Sequence, residues 1–129
     1  MRILLDTNAI LFAFGASRAL PDKWLEHIMN PDNQLWMSSV SLAEIAVKAA
    51  IGKLVWNEEW PFAEAAREFG ATDLPFTPVH AERMHHLPLY HRDPFDRMII
   101  AQALVEDLTV MTTDRHFAAY GVRLVPYAD

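Results

Sequence analysis

Short apolar runs that stop abruptly at polar or acidic residues, each followed by a helical pattern, limit the possible folds of this chain more than any other feature. Ile3-Leu4-Leu5 stops at Asp6-Thr7-Asn8, Leu35-Trp36-Met37 stops at Ser38-Ser39, and Thr109 to Thr112 runs up to Asp114. Continuous apolar letters closed by polar ones are the pattern of a parallel strand buried on both faces. Helical segments lie between: Ala9 to Phe14 before Gly15, and a segment opened by Pro21 with Trp24, Leu25 and Ile28 on one face. Further helices are expected over Val40 to Ala50 before Gly52, Pro61 to Phe69 before Gly70, Pro78 to Leu87, and Phe95 to Glu106. Asp73 to Phe76 and Arg123 to Val125 add two short strands, the first at an edge or a strand end because of Pro75. Pro88 to Pro94 reads as a loop, and a short turn follows at Arg115 to Ala119. Strands alternating with helices predict an α/β sandwich around a mainly parallel sheet. Ligands of such a sheet sit beyond the carboxyl ends of its strands. No repeat, low-complexity tract or linker divides residues 1–129, so one domain is expected.

Composition narrows the function classes. With 52% hydrophobic residues the chain is no disordered tail. No apolar run approaches the ~18 residues of a membrane span, and Asp6 and Asn8 interrupt any leader-like core at the start. The absence of cysteine excludes disulfides and thiolate metal sites and fits a cytoplasmic location. A net charge of −6 argues against a broad basic surface for nucleic acid.

Four acids fall where the strand-end rule puts chemistry. Asp6 ends the first strand, Asp114 follows the Thr109 strand, Asp96 lies in the first turn after Pro94, and Glu44 sits in an apolar helical stretch. Clustered carboxylates repel unless a cation neutralises them, so at least one should resist ionisation. An all-oxygen set suits Mg²⁺ or Mn²⁺. Each acid also has an ordinary structural reading. Asp93-Pro94-Phe95-Asp96 is a capping-box arrangement, Glu44 and Lys48 stand four apart as a surface ion pair, and Asp6 and Asp114 are turn formers. The shared placement of all four favours a site.

The segments LLDTN, SLAEIAVKAAIGKL, HRDPFDRMIIAQA and TTDRHFAAYGV, in this order and spacing, resemble PIN-domain ribonucleases, above all the VapC-type toxins of type II toxin–antitoxin pairs. The resemblance spans nearly the whole chain. It implies a PIN-like three-layer α/β/α sandwich with a five-stranded parallel sheet, RNA cleavage dependent on one or two Mg²⁺ or Mn²⁺ ions, a homodimer and a cognate antitoxin. It places the family's acids on Asp6, Glu44, Asp96 and Asp114, with Thr7, Asn8 and Thr112 in support. Asp93 is read as a helix cap in preference to a contact with ion-bound water.

The chemistry expected of these acids is hydrolysis of a phosphodiester by water activated at a divalent ion. Asp6 and Asp96 are the expected direct ligands, with Asp114 and Glu44 completing the set. Bound dications would turn the acidic edge attractive to phosphate. Lys48, Arg92, Arg97 and Arg115 flank the acids as candidate phosphate contacts, or else as solvated ion-pair partners. His80, His85, His86 and His91 differ by five, one and five, which is not the spacing of a zinc pair on one helix face. Trp24, Trp36, Trp56 and Trp60, with Met29, Met37, Met84 and Met98, are read mainly as core. Trp56-Asn57-Glu58-Glu59-Trp60 stands apart as a candidate partner groove. Two rivals use the same acids: a phosphohydrolase of small phosphate esters, and a receiver-like signalling module. The latter wants a lysine near the last strand ends, and the chain has none after Lys53.

Overall fold

A computed structural model of the protein describes residues 1–14, 22–56 and 61–126. In chain order these form β1 (Arg2–Leu5), α1 (Thr7–Phe14), α2 (Asp22–Met29), β2 (Gln34–Ser38), α3 (Ser39–Ala50), α4 (Phe62–Glu68), β3 (Ala71–Leu74), α5 (Pro78–His85), α6 (Pro94–Glu106), β4 (Thr109–Met111) and a 3₁₀ turn (Arg115–Tyr120). The strands pair in the order β3-β2-β1-β4, all parallel. A receiver-like sheet has the order 2-1-3-4-5, so that rival is set aside. Among the described residues the sheet has four strands where five were expected. Arg123 to Val125 contributes a single parallel bridge, Val110 to Leu124. Val110 donates to the Arg123 carbonyl and accepts from Val125, and no second rung follows among the described residues. As expected, β3 is an edge strand with Pro75 directly after it.

Both faces of the sheet are covered, which is why β1 carries no polar letter inside. Ile3 and Leu5 face one core, built with Ile10 of α1, Trp24 and Ile28 of α2, Ile45 of α3 and Phe62 of α4. Leu4 faces the other, with Ile99 and Ile100 of α6 and Phe117 of the 3₁₀ turn. Fully burying each of these aliphatic side chains contributes about 1.5–3 kcal/mol. Two sequence expectations fail at the surface: Leu25 is 46% and Met29 62% exposed, at the solvent side and the end of α2. Gly15, Pro21, Trp60 and most of the Trp56–Trp60 segment lie outside the described residues; Trp56 itself packs edge-on against Phe62.

Polar ties position α6 over the strand ends. Gln102, fully buried in α6, accepts from the Ser38 hydroxyl at 2.5 Å. Its amide donates to the carbonyls of Leu74 and Pro75 at 3.4 and 3.3 Å. A buried amide needs such partners, and these lie at the carboxyl ends of β2 and β3. The first turn of α6, with Asp96, is thereby held near the same edge.

Candidate metal centre

Strand register brings the site together. Leu5 aligns with Met37 on one side and Met111 on the other, so Asp6, Ser38 and Thr112 follow side by side. Asp6 donates its N–H to the Met111 carbonyl at 3.2 Å, and its Oδ1 accepts from Ala9 N–H at 2.7 Å. It therefore caps α1 while standing 4% exposed. Burial pushes its carboxyl from 3.8 up to about 7. Hydrogen bonds from Thr112 and Ala9 offset this in part, and the charges of Asp96 and Glu44 push it further.

Glu44 projects from α3 and is 6% exposed. Its Oε1 accepts from the Thr7 hydroxyl at 2.6 Å, and its Oε2 pairs with Lys48 Nζ at 2.9 Å. The four-residue spacing thus does form the ion pair that the sequence permits, but on a buried glutamate. Lys48 is accordingly turned to the acid cluster.

Asp96 lies in the first turn of α6 and its carboxyl is pushed up to about 6. Desolvation leads, the charges of Asp93, Glu44 and Asp114 add to it, and His91 opposes it. Asp93 is the N-cap of α6, accepting at Oδ1 from Phe95 and Asp96 N–H at 2.9 and 3.2 Å. The cap reading of Asp93 therefore describes the geometry, and Asp96 is left free of that task.

Asp114 caps the 3₁₀ turn, its Oδ1 accepting from the His116 N–H at 2.9 Å. His116 Nδ1 lies 2.8 Å from that same oxygen, and His91 Nε2 lies 2.7 Å from Oδ2. Burial works against this carboxylate, but the bonds from His116 and His91 outweigh it and hold Asp114 below the usual range. Thr112 serves both neighbours: its hydroxyl bonds Asp6 and accepts from Asp114 N–H at 3.0 Å.

Four acids, Thr7 and Thr112 are thus brought to one edge. Asn8 is exposed, as are Arg92 and Arg115. Arg97 is elsewhere occupied. Its guanidinium donates to the carbonyls of Pro88, His91, Met84 and Leu87 at 2.9 to 3.4 Å and reaches the Tyr120 hydroxyl at 3.4 Å. That makes it a clamp on the loop before α6, a correction to its place among the phosphate contacts. Arg115 lines a cleft of about 410 Å³ together with Thr112, Thr113, Asp114, Leu124, Val125 and Pro126.

His91 and His116 were not among the expected site residues. Helical spacing does not relate them, because they sit in a loop and a 3₁₀ turn. His116 was detectable as a residue two beyond a capping Asp; His91 reaches an acid 23 residues away, which no local pattern reveals.

The donor set fits a divalent cation. Burial first, and neighbouring acids after it, raise Asp6 to about 7 and Asp96 to about 6, a cost that a bound cation would relieve. Oxygen donors dominate, as Mg²⁺ and Mn²⁺ prefer. Two imidazoles meet Asp114, with their ligating atoms and its oxygen within 4.8 Å of one another.

A family model for the PIN domain matches residues 3–122. In fold, the chain is similar to a chain of DNA-bound VapBC from Salmonella typhimurium, with TM-score 0.73, 22% identity, and 99% of each chain covered. It is also similar to VapBC2 from Rickettsia felis bound to a promoter DNA fragment, with TM-score 0.71, 19% identity, and 96% of this chain and 97% of that one covered. A toxin–antitoxin complex from Klebsiella pneumoniae gives TM-score 0.60 at 21% identity, covering 98% and 99%. No curated protein matches in sequence.

Proposed function

Because the chain belongs to the PIN domain family, we propose that it is a metal-dependent endoribonuclease, the toxin of a type II toxin–antitoxin pair, formed by one domain over residues 1–129. The observation that carries this reading is the meeting of Asp6, Glu44, Asp96 and Asp114 at the carboxyl edge of the sheet, with Asp6 buried and its carboxyl at about 7. Asp6 and Asp96 would hold Mg²⁺ or Mn²⁺. When bound, the ion supplies Lewis acidity, activating water near neutral pH and stabilising charge on the phosphate. The chain's own groups do the positioning. Thr112 orients Asp6 and the backbone of Asp114, while Thr7 and Lys48 fix both oxygens of Glu44. Arg115, on the cleft beside Asp114, is the best-placed phosphate contact.

The likeness to a toxin–antitoxin complex supports a cognate antitoxin as partner, and a basic antitoxin side chain suits the acid cluster through charge-assisted hydrogen bonds. A homodimer and a cytoplasmic setting complete the reading; no described helix is long and apolar enough to cross a membrane. Incubating purified protein with total RNA in Mg²⁺, in Mn²⁺ and in EDTA tests it. Cleavage in either metal that EDTA abolishes is expected; RNA left intact in all three, or cut equally in EDTA, contradicts it.

A further inference from the structure

His91 is held by an unusual amount of structure for a loop residue. Its N–H donates to the Tyr120 hydroxyl at 2.8 Å, and that hydroxyl donates to the Pro88 carbonyl at 2.7 Å. Arg97 grips the carbonyls on both sides, including that of His91 itself at 3.2 Å. The ring is only 15% exposed and packs edge-on against Phe117 of the core. One ring nitrogen, Nδ1, accepts the N–H of Asp93 at 3.2 Å. Nδ1 is thereby turned to the loop backbone, and Nε2 is the nitrogen that faces the acids. That Nε2 lies 2.7 Å from Oδ2 of Asp114 and 3.0 Å from Oδ2 of Asp96. His116, at 5.4 Å between ring centroids, and the Asp93 backbone also face the ring.

We propose that His91 is a positioning residue of the metal centre: its Nε2 holds the carboxylates of Asp96 and Asp114 side by side, ready for a divalent cation. The inference rests on the metal-nuclease reading of these acids. Its physical content lies in geometry: the sheet edge and α6 bring two carboxylates together, and one clamped ring nitrogen stands within 3.0 Å of an oxygen of each. Hydrogen bonds to ligating carboxylates orient them in this way.

Substitution separates reach from packing. Glutamine places an N–H near the position of Nε2, whereas asparagine reproduces a polar group near Nδ1 and falls short of the acids. Mn²⁺ binding to the full chain, counted by electron paramagnetic resonance of the free ion, is to be compared for wild type, His91→Gln and His91→Asn. We expect His91→Asn to weaken Mn²⁺ binding about ten- to a hundredfold, and His91→Gln to stay within about threefold of wild type. Asparagine and glutamine variants of equal affinity would overturn the proposal. Wild type that binds Mn²⁺ and leaves RNA intact contradicts the nuclease reading alone. Wild type that binds no Mn²⁺ contradicts both.

Discussion

The Thr7 hydroxyl donates to Oε1 of Glu44 across 2.6 Å, joining the first turn of α1 to the middle of α3 beneath the acid cluster. Glu44 is buried, and its other oxygen faces Lys48. Removing the hydroxyl leaves part of a buried carboxylate without a partner, which costs about 1–3 kcal/mol. Thr7→Val keeps the shape and should lower stability by that amount in denaturant titrations. Thr7→Ser should stay close to wild type. Equal stability of Val and wild type would show that the bond does little.

The raised carboxyls give the metal-free protein an unusual pH response. Asp6 sits at about 7 when folded against 3.8 for the free group, so the folded state holds its proton more tightly. Its contribution to stability is complete below about pH 4 and is lost as pH rises through about 7. Asp96, at about 6, acts in the same direction. Asp114 is shifted downward, so its effect falls below the ordinary carboxylate range and leaves this window alone. Thermal melts in EDTA should therefore show stability falling between pH 5 and pH 8. The Asp6 contribution is on the order of 4 kcal/mol at most. Asp6→Asn should flatten the profile; a profile that rises over this range contradicts the assignment.

Much of this arrangement was legible in the letters, for reasons tied to particular residues. Ile3-Leu4-Leu5 must be buried on both faces, which dictates a covered parallel sheet, and Asp6 then has only the strand end to occupy. Asp93 and Pro94 announce the start of α6 through capping chemistry, and the cap is formed as read. What stayed hidden depends on contacts between distant segments. The ring of His91 meets Asp114 across 23 residues, and Gln102 meets Ser38 across 64. Arg97 looked like a phosphate ligand because it stands next to Asp96, yet helix geometry turns it to the preceding loop. Arg123 to Val125 has strand-like letters, but its pairing with β4 stops after one bridge.

Arg97 and Arg115 should separate cleanly in binding experiments. Arg115→Ala should weaken binding to RNA and reduce the dependence of log affinity on log salt by about one contact. Arg97→Ala should leave that slope unchanged and instead lower the melting temperature, because four carbonyls and the Tyr120 hydroxyl lose a shared donor. Each 1 kcal/mol corresponds to roughly 3–6 °C at this size. An altered salt slope for Arg97→Ala would return it to the RNA surface.

Gln102→Leu keeps the volume of a buried side chain and removes its polar ties to Ser38, Leu74 and Pro75 at the ends of β2 and β3. The Ser38 hydroxyl then loses its acceptor, and the expected loss is about 1–3 kcal/mol. Since α6 carries Asp96, the same variant should also require more Mn²⁺ for half-maximal cleavage. Lower stability with an unchanged metal requirement would confine Gln102 to the core.

The rate of RNA cleavage by Asp6→Asn tests most directly the proposal that Asp6 and its neighbours hold a catalytic ion. The measurement compares wild type and variant at equal concentration in saturating Mn²⁺, with melts confirming that both are folded. A folded variant slower by on the order of 10²-fold or more is the expected result, because a ligand to the catalytic ion is lost. A folded Asp6→Asn protein that cleaves at the wild-type rate would contradict it.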